Sequence, residues 1–125
     1  MSTHEIIALI AGGGLGAGIR YLIDGLVMRG RKNAFPAGIL IINVTGAFVL
    51  GLLTGLGSAL GPVWLMILGV GLLGGYTTFS TVSVESVLLA QHRRRDWAWV
   101  NLLGTFVLAA VAAGLGLMIG GLLPG

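Results

Sequence analysis

The sequence predicts an all-α membrane protein of four transmembrane helices, and three observations predict it. Of its 125 residues, 56% are hydrophobic and only 9% are charged. A soluble domain carries about 25% charged residues, so this chain cannot cover itself with a wetted surface. The few charges gather at the ends of long apolar runs, and from Asn33 to Val84 no residue is charged. One span needs about 20 apolar residues, so that stretch is too long for one helix and long enough for two.

The first span is predicted over about 6–28. The N-terminal MSTHEIIALIAGGG has no basic n-region and no convincing cleavage site, so it is expected to be an uncleaved span rather than a signal peptide. The span is apolar to Ile19 and carries Arg20 and Asp24 near its end. A basic loop with Arg29, Arg31, Lys32 and Asn33 follows. The second span is predicted over about 36–56, ended by Gly57-Ser58-Ala59-Leu60-Gly61-Pro62, because Gly and Pro stop helices and make turns. The third runs over about 63–91. A loop from His92 to Asp96 contains Arg93, Arg94 and Arg95. The fourth span runs over about 97–123, with Trp97 and Trp99 where interfacial aromatics belong.

Several function classes drop out. Without cysteine there are no disulfides and no thiolate metal sites. His4 and His92 lie near span ends, and no nucleophile–base pair or metal constellation is visible, so an enzyme has no support. The net charge of +3 is concentrated in two short loops, which is an orientation signal rather than a nucleic-acid face. Both loops lie on one side of a four-span protein, and the tails and second loop hold no Lys or Arg. The positive-inside rule then predicts both termini outside, with loops one and three cytoplasmic.

Glycine carries the next message, with 23 in the chain. Gly12 and Gly16, Ala47, Gly51 and Gly55, and Gly116 and Gly120 follow the small-xxx-small spacing that lets membrane helices approach. Span three differs. Gly69, Gly71, Gly74 and Gly75 precede Tyr76-Thr77-Thr78-Phe79-Ser80-Thr81. Paired glycines followed by β-branched polar residues weaken a helix, so the third helix is expected to break mid-membrane. Unwound backbone is tolerated there only in a protein-buried or polar-lined place. Its freed carbonyls would suit cations, and its freed N–H groups anions. The alternative is an intact helix whose hydroxyls bond back to their own carbonyls.

Polar residues inside spans are functional candidates by default. They are Arg20, Asp24, Asn43, Glu85 and Asn101, with the hydroxyls of Thr45, Thr77, Thr78, Ser80, Thr81, Ser83 and Thr105. Arg20 and Asp24 are four apart, so they either pair with each other or Arg20 faces a water-filled mouth. Asn43 either cross-links helices or offers its amide to a path, with Gly46 opening space beside it. Glu85 lies away from the centre of its span, within reach of the basic loop. No carboxylate occupies mid-span, which argues against a proton-driven exporter. Donors dominate, and Phe79 adds a ring edge of partial positive charge. That inventory suits a small anion better than a cation.

The runs GGGLGAGIRY, INVTGAF and GLLGGYTTFST with a following Glu resemble the Fluc family of fluoride channels, also called CrcB. The match in order and spacing covers nearly the whole chain. The resemblance implies a dimer of antiparallel subunits in the cell membrane, with two narrow pores that pass fluoride down its gradient. It also implies a structural, untransported Na⁺ held by backbone carbonyls, here those of Gly74 and Thr77. Arg20 matches the vestibule arginine, Asn43 the pore amide and Phe79 the first pore ring. Ser80 and Thr81 match the polar track, Glu85 the acidic residue near its end, and Thr105 falls near the pore hydroxyls of span four. Two departures stand out. The second ring of the family pattern is Val82 here, and the loop charges fix one orientation. The second subunit is therefore expected to be an oppositely oriented paralogue, with a second copy of this chain as the alternative. The alternative functions are a four-helix secondary transporter of small ions or a non-conducting partner of a heterodimeric channel.

Overall fold

The computed structural model describes residues 2–31 and 35–123, apart from the side chain of Ser58. Lys32 and Asn33 of the first basic loop lie outside the described residues. Among the described residues every regular element is helical. Four helical runs are long and apolar enough to cross a membrane: Thr3–Val27, Ala37–Gly55, Pro62–Gln91 and Arg95–Leu122. The chain is a multi-pass membrane protein.

Helix α1 (Thr3–Val27) opens with a capping box. The Ser2 hydroxyl accepts the Glu5 N–H at 3.2 Å, and the Glu5 carboxylate accepts the Ser2 N–H at 3.3 Å. Two amides that a helix start leaves unpaired are thereby satisfied. Helix α2 (Ala37–Gly55) leads into a short turn of helix, α3 (Gly57–Leu60). Gly61 then takes φ +88°, a conformation that side chains disfavour. Pro62 begins α4 (Pro62–Leu65), where its missing N–H costs nothing.

The rest of the third span is irregular. A π-helical segment, Met66–Leu73, runs into a single turn, α5 (Gly74–Tyr76). Thr77 and Thr78 are extended, and α6 (Phe79–Gln91) resumes the helix. Gly74 and Gly75 are themselves helical, so the non-helical dihedrals fall just after the glycine pair. Helix α7 (Arg95–Leu122) completes the chain.

In lipid, helix association rests on close packing rather than on escape from water. Glycine provides that closeness here. A Cβ at Gly51 would overlap the Ala113 carbonyl, and one at Gly116 would overlap the Phe48 carbonyl, so α2 and α7 touch backbone to backbone. Gly55 and Gly120 continue the seam. Helix α1 meets the third span in the same way, with Gly16 against Leu72 and Gly75 against Gly13. The apolar core of the single chain is small, formed by Ile39, Ile42 and Val82. Large apolar side chains such as Tyr21, Leu26, Val70 and Leu122 are exposed on the outside of the single chain.

Candidate functional site

The interruption at Thr77–Thr78 is held from α2. Asn43, one of the few buried polar side chains, accepts the Thr78 N–H on Oδ1 at 2.8 Å. Its Nδ2 donates to the Thr78 carbonyl at 3.0 Å. Gly46, nearly one turn further along α2, leaves room for the Thr77 side chain and the Tyr76 ring. From the other side α1 contributes Arg20, whose Nε donates to the Gly75 carbonyl at 3.3 Å. Of the two options for Arg20, pairing with Asp24 is not the one adopted. Among the described residues the ion pair present is Arg94–Asp96, at 3.3 Å.

These contacts redirect backbone groups. In a continuous helix the Thr78 N–H would close onto the Gly74 carbonyl, and the Thr81 N–H onto the Thr77 carbonyl. The first goes to Asn43 instead. The second goes to the Thr78 hydroxyl at 3.3 Å, which caps α6. Among the described residues no backbone N–H donates to the Gly74 or Thr77 carbonyl. Both oxygens are therefore free to accept from, or coordinate, something else, and this donor chemistry fits a hard cation such as Na⁺. The same break starts α6 within the span. A helix N-terminus carries partial positive charge and unpaired N–H groups, which favour anions.

Hydroxyls cluster at that N-terminus. Thr78 Oγ1 lies 3.1 Å from Ser80 Oγ and 3.2 Å from Thr81 Oγ1. A cleft of about 420 Å³ opens beside the break. Asn43, Gly74, Thr77, Phe79 and Thr105 all contribute to its wall. Phe79 is 62% exposed, whereas Thr105 is buried with its hydroxyl oxygen unpartnered. The structure thus brings five of the sequence-derived candidates to one cleft, while Ser80 and Thr81 join it only through the Thr78 hydroxyl and Arg20 only bonds the Gly75 carbonyl.

Glu85 stands apart. It lines a second cleft of about 530 Å³ with Pro36, His92, Arg94 and Trp97. One of its carboxylate oxygens is buried with no hydrogen-bond partner. Arg94 is occupied by Asp96 and by the Trp97 ring, 3.5 Å from its centroid. Phe35 meets the same ring edge-on at 5.8 Å.

Asn101 was the understated residue. It is completely buried, and its Nδ2 donates to the Ser86 hydroxyl at 3.0 Å and the Val82 carbonyl at 3.4 Å. It ties α7 to α6 as Asn43 ties α2 to the break. A signal for it existed. Asn43-Val44-Thr45-Gly46-Ala47-Phe48-Val49-Leu50 recurs as Asn101-Leu102-Leu103-Gly104-Thr105-Phe106-Val107-Leu108.

Comparison with known proteins identifies the family of the sequence. The family model described as "CrcB-like protein, Camphor Resistance (CrcB)" matches residues 7–117. The fluoride-specific ion channel FluC 1 of Leifsonia xyli subsp. xyli is 50% identical over 124 residues, covering 98% of this chain and 90% of the relative. FluC 1 of Listeria monocytogenes is 47% identical over 109 residues, covering 87% of this chain and 91% of the relative. FluC 2 of Bacillus cereus is 35% identical over 118 residues, covering 94% of this chain and 98% of the relative. On the extent of these matches, the chain belongs to the CrcB family of membrane proteins.

Proposed function

We propose that this chain is a subunit of a passive fluoride channel in the cell membrane, rather than an enzyme or a driven transporter. The observation that carries the reading is the break at Thr77–Thr78, clamped by Asn43, which sets a helix N-terminus, hydroxyls and a ring beside one cleft. Relatives named as fluoride-specific ion channels support the choice of ion. Fluoride is small and strongly hydrated, so a path must replace its water with donors. Ser80, Thr81, Thr105 and the free N–H of Asn43 supply them. The edge of the Phe79 ring adds partial positive charge while excluding water. Arg20 attracts anions toward the path, and Glu85, which lines a separate cleft, is assigned to its far end by the family resemblance alone.

Gly74 and Thr77 would hold a structural Na⁺ through their carbonyls. That ion would add a fixed positive charge favouring nearby anions. The cleft is open in the single chain, so a complete path needs a second subunit, and the family resemblance implies that it is inserted antiparallel. Six of the seven Lys and Arg residues lie in loops one and three, which favours a partner of opposite orientation over a second copy. Expression in a fluoride-sensitive bacterial strain tests the reading. Restored growth in fluoride, by this chain alone or with an oppositely oriented relative, is expected. A well-expressed chain that restores nothing in either setting would refute it.

A further inference from the structure

The family resemblance that matches Phe79 to a first ring implies a second at position 82, where this chain has Val82. The residue is fully buried, packed against Ile39 and Ile42, and does not line the cleft. A ring at that position would have to displace a packed core. A different ring does reach the cleft. Phe106 of α7 lines it together with Phe79, and both are largely exposed, at 68% and 62%. Beside Phe106 is Thr105, which is 3% exposed, lines the same cleft and carries an unpartnered hydroxyl oxygen.

We propose that Phe106 is the second aromatic group of the anion path in this chain, acting with the Thr105 hydroxyl in place of the ring that Val82 does not provide. The inference rests on the channel reading above and extends it to a residue outside the third span. The chemistry is that of a paired ring and donor. An aromatic edge is positive and apolar, so it attracts a bare anion while holding water back. The Thr105 hydroxyl, one residue away, is buried and unpartnered, and rotation about its χ1 would let it donate to the same anion. Leucine keeps apolar bulk but has no positive aromatic edge, so it separates an electrostatic role from lipid contact. If Phe106 only met lipid or a neighbouring helix, leucine would serve as well.

The experiment is fluoride efflux from liposomes, followed with a fluoride electrode, comparing wild type, Phe106→Leu, Phe106→Tyr and Val107→Leu. Val107 is exposed and does not line the cleft, so its variant reports on general effects of α7 substitution. The expected result is a loss of about tenfold or more in initial rate for Phe106→Leu, equivalent to about 1.4 kcal/mol on a barrier. Val107→Leu should stay within about threefold of wild type, a difference below that same decade, and Phe106→Tyr, which keeps the ring, should lose less than Phe106→Leu. Should Phe106→Leu fail to fold, Phe106→Met carries the same comparison with a more adaptable side chain. Fast wild-type efflux with unaltered Phe106→Leu, or unaltered Phe106→Met, would overturn this inference alone. No fluoride efflux from wild type, with or without an oppositely oriented relative, would remove the channel reading and this inference with it.

Discussion

The side-chain amide of Asn43 engages both backbone polar groups of Thr78, accepting its N–H at 2.8 Å and donating to its carbonyl at 3.0 Å. A residue on the second span therefore holds the segment where the third span is not helical. Without Asn43, the Thr78 N–H is free to close on the Gly74 carbonyl and restore the helix. Asn43→Ala should remove two bonds worth about 1 kcal/mol each and slow fluoride efflux by about tenfold or more, about 1.4 kcal/mol on a barrier. Asn43→Asp keeps the acceptor for the Thr78 N–H but sets an oxygen against the Thr78 carbonyl, so it should conduct no better than Asn43→Ala. Thermal unfolding in detergent and liposome efflux check both. Wild-type rates in Asn43→Ala would show that the clamp is dispensable.

Glycine contacts make a paired prediction. A Cβ at Gly75 would overlap the Gly13 carbonyl, while one at Gly14 meets nothing within 4 Å. Gly75→Ala should destabilise the fold by about 1–3 kcal/mol, because two backbones must separate. Gly14→Ala should be neutral or stabilising by up to about 1 kcal/mol, through helix propensity. Thermal unfolding followed by tryptophan fluorescence distinguishes them. Equal effects would contradict the seam between α1 and the third span.

The membrane architecture was legible in the sequence because charge is so scarce that the uncharged stretch from Asn33 to Val84 has one reading. The third span was legible only in part. Gly74 and Gly75 marked a weak helix, but Thr77 and Thr78 carry the extended dihedrals, because a side chain from another helix takes the Thr78 amide. No local propensity contains that contact. Arg20 was ambiguous for the same reason. Asp24 is its neighbour in sequence, whereas the Gly75 carbonyl is its neighbour in space. Asn101 was visible as a buried amide, yet only the structure joins it to Ser86 and Val82.

Sodium offers a test that side-chain substitution cannot, since Gly74 and Thr77 would contribute carbonyls. Liposomes prepared with N-methylglucamine in place of Na⁺ should lose fluoride more slowly, and added Na⁺ should restore the rate. Efflux indifferent to Na⁺ would argue that the free carbonyls serve something else.

Orientation follows from charge. The chain has no cysteine, so Ser2→Cys gives a unique label on the N-terminal side. That cysteine should react with an impermeant thiol reagent added outside intact cells. Replacing Arg93, Arg94 and Arg95 together by Ala removes one of the two basic loops and should give mixed labelling. Mixed labelling already in the wild-type background would mean that the loop charges do not fix orientation.

Ion selectivity in a defined membrane bears on the whole account at once. Purified chain in liposomes, alone and with an oppositely oriented relative, should release fluoride rapidly down its gradient and retain chloride under the same conditions. Equal release of both anions, or retention of fluoride by well-folded protein in both preparations, would contradict a fluoride path built around the Asn43–Thr78 clamp.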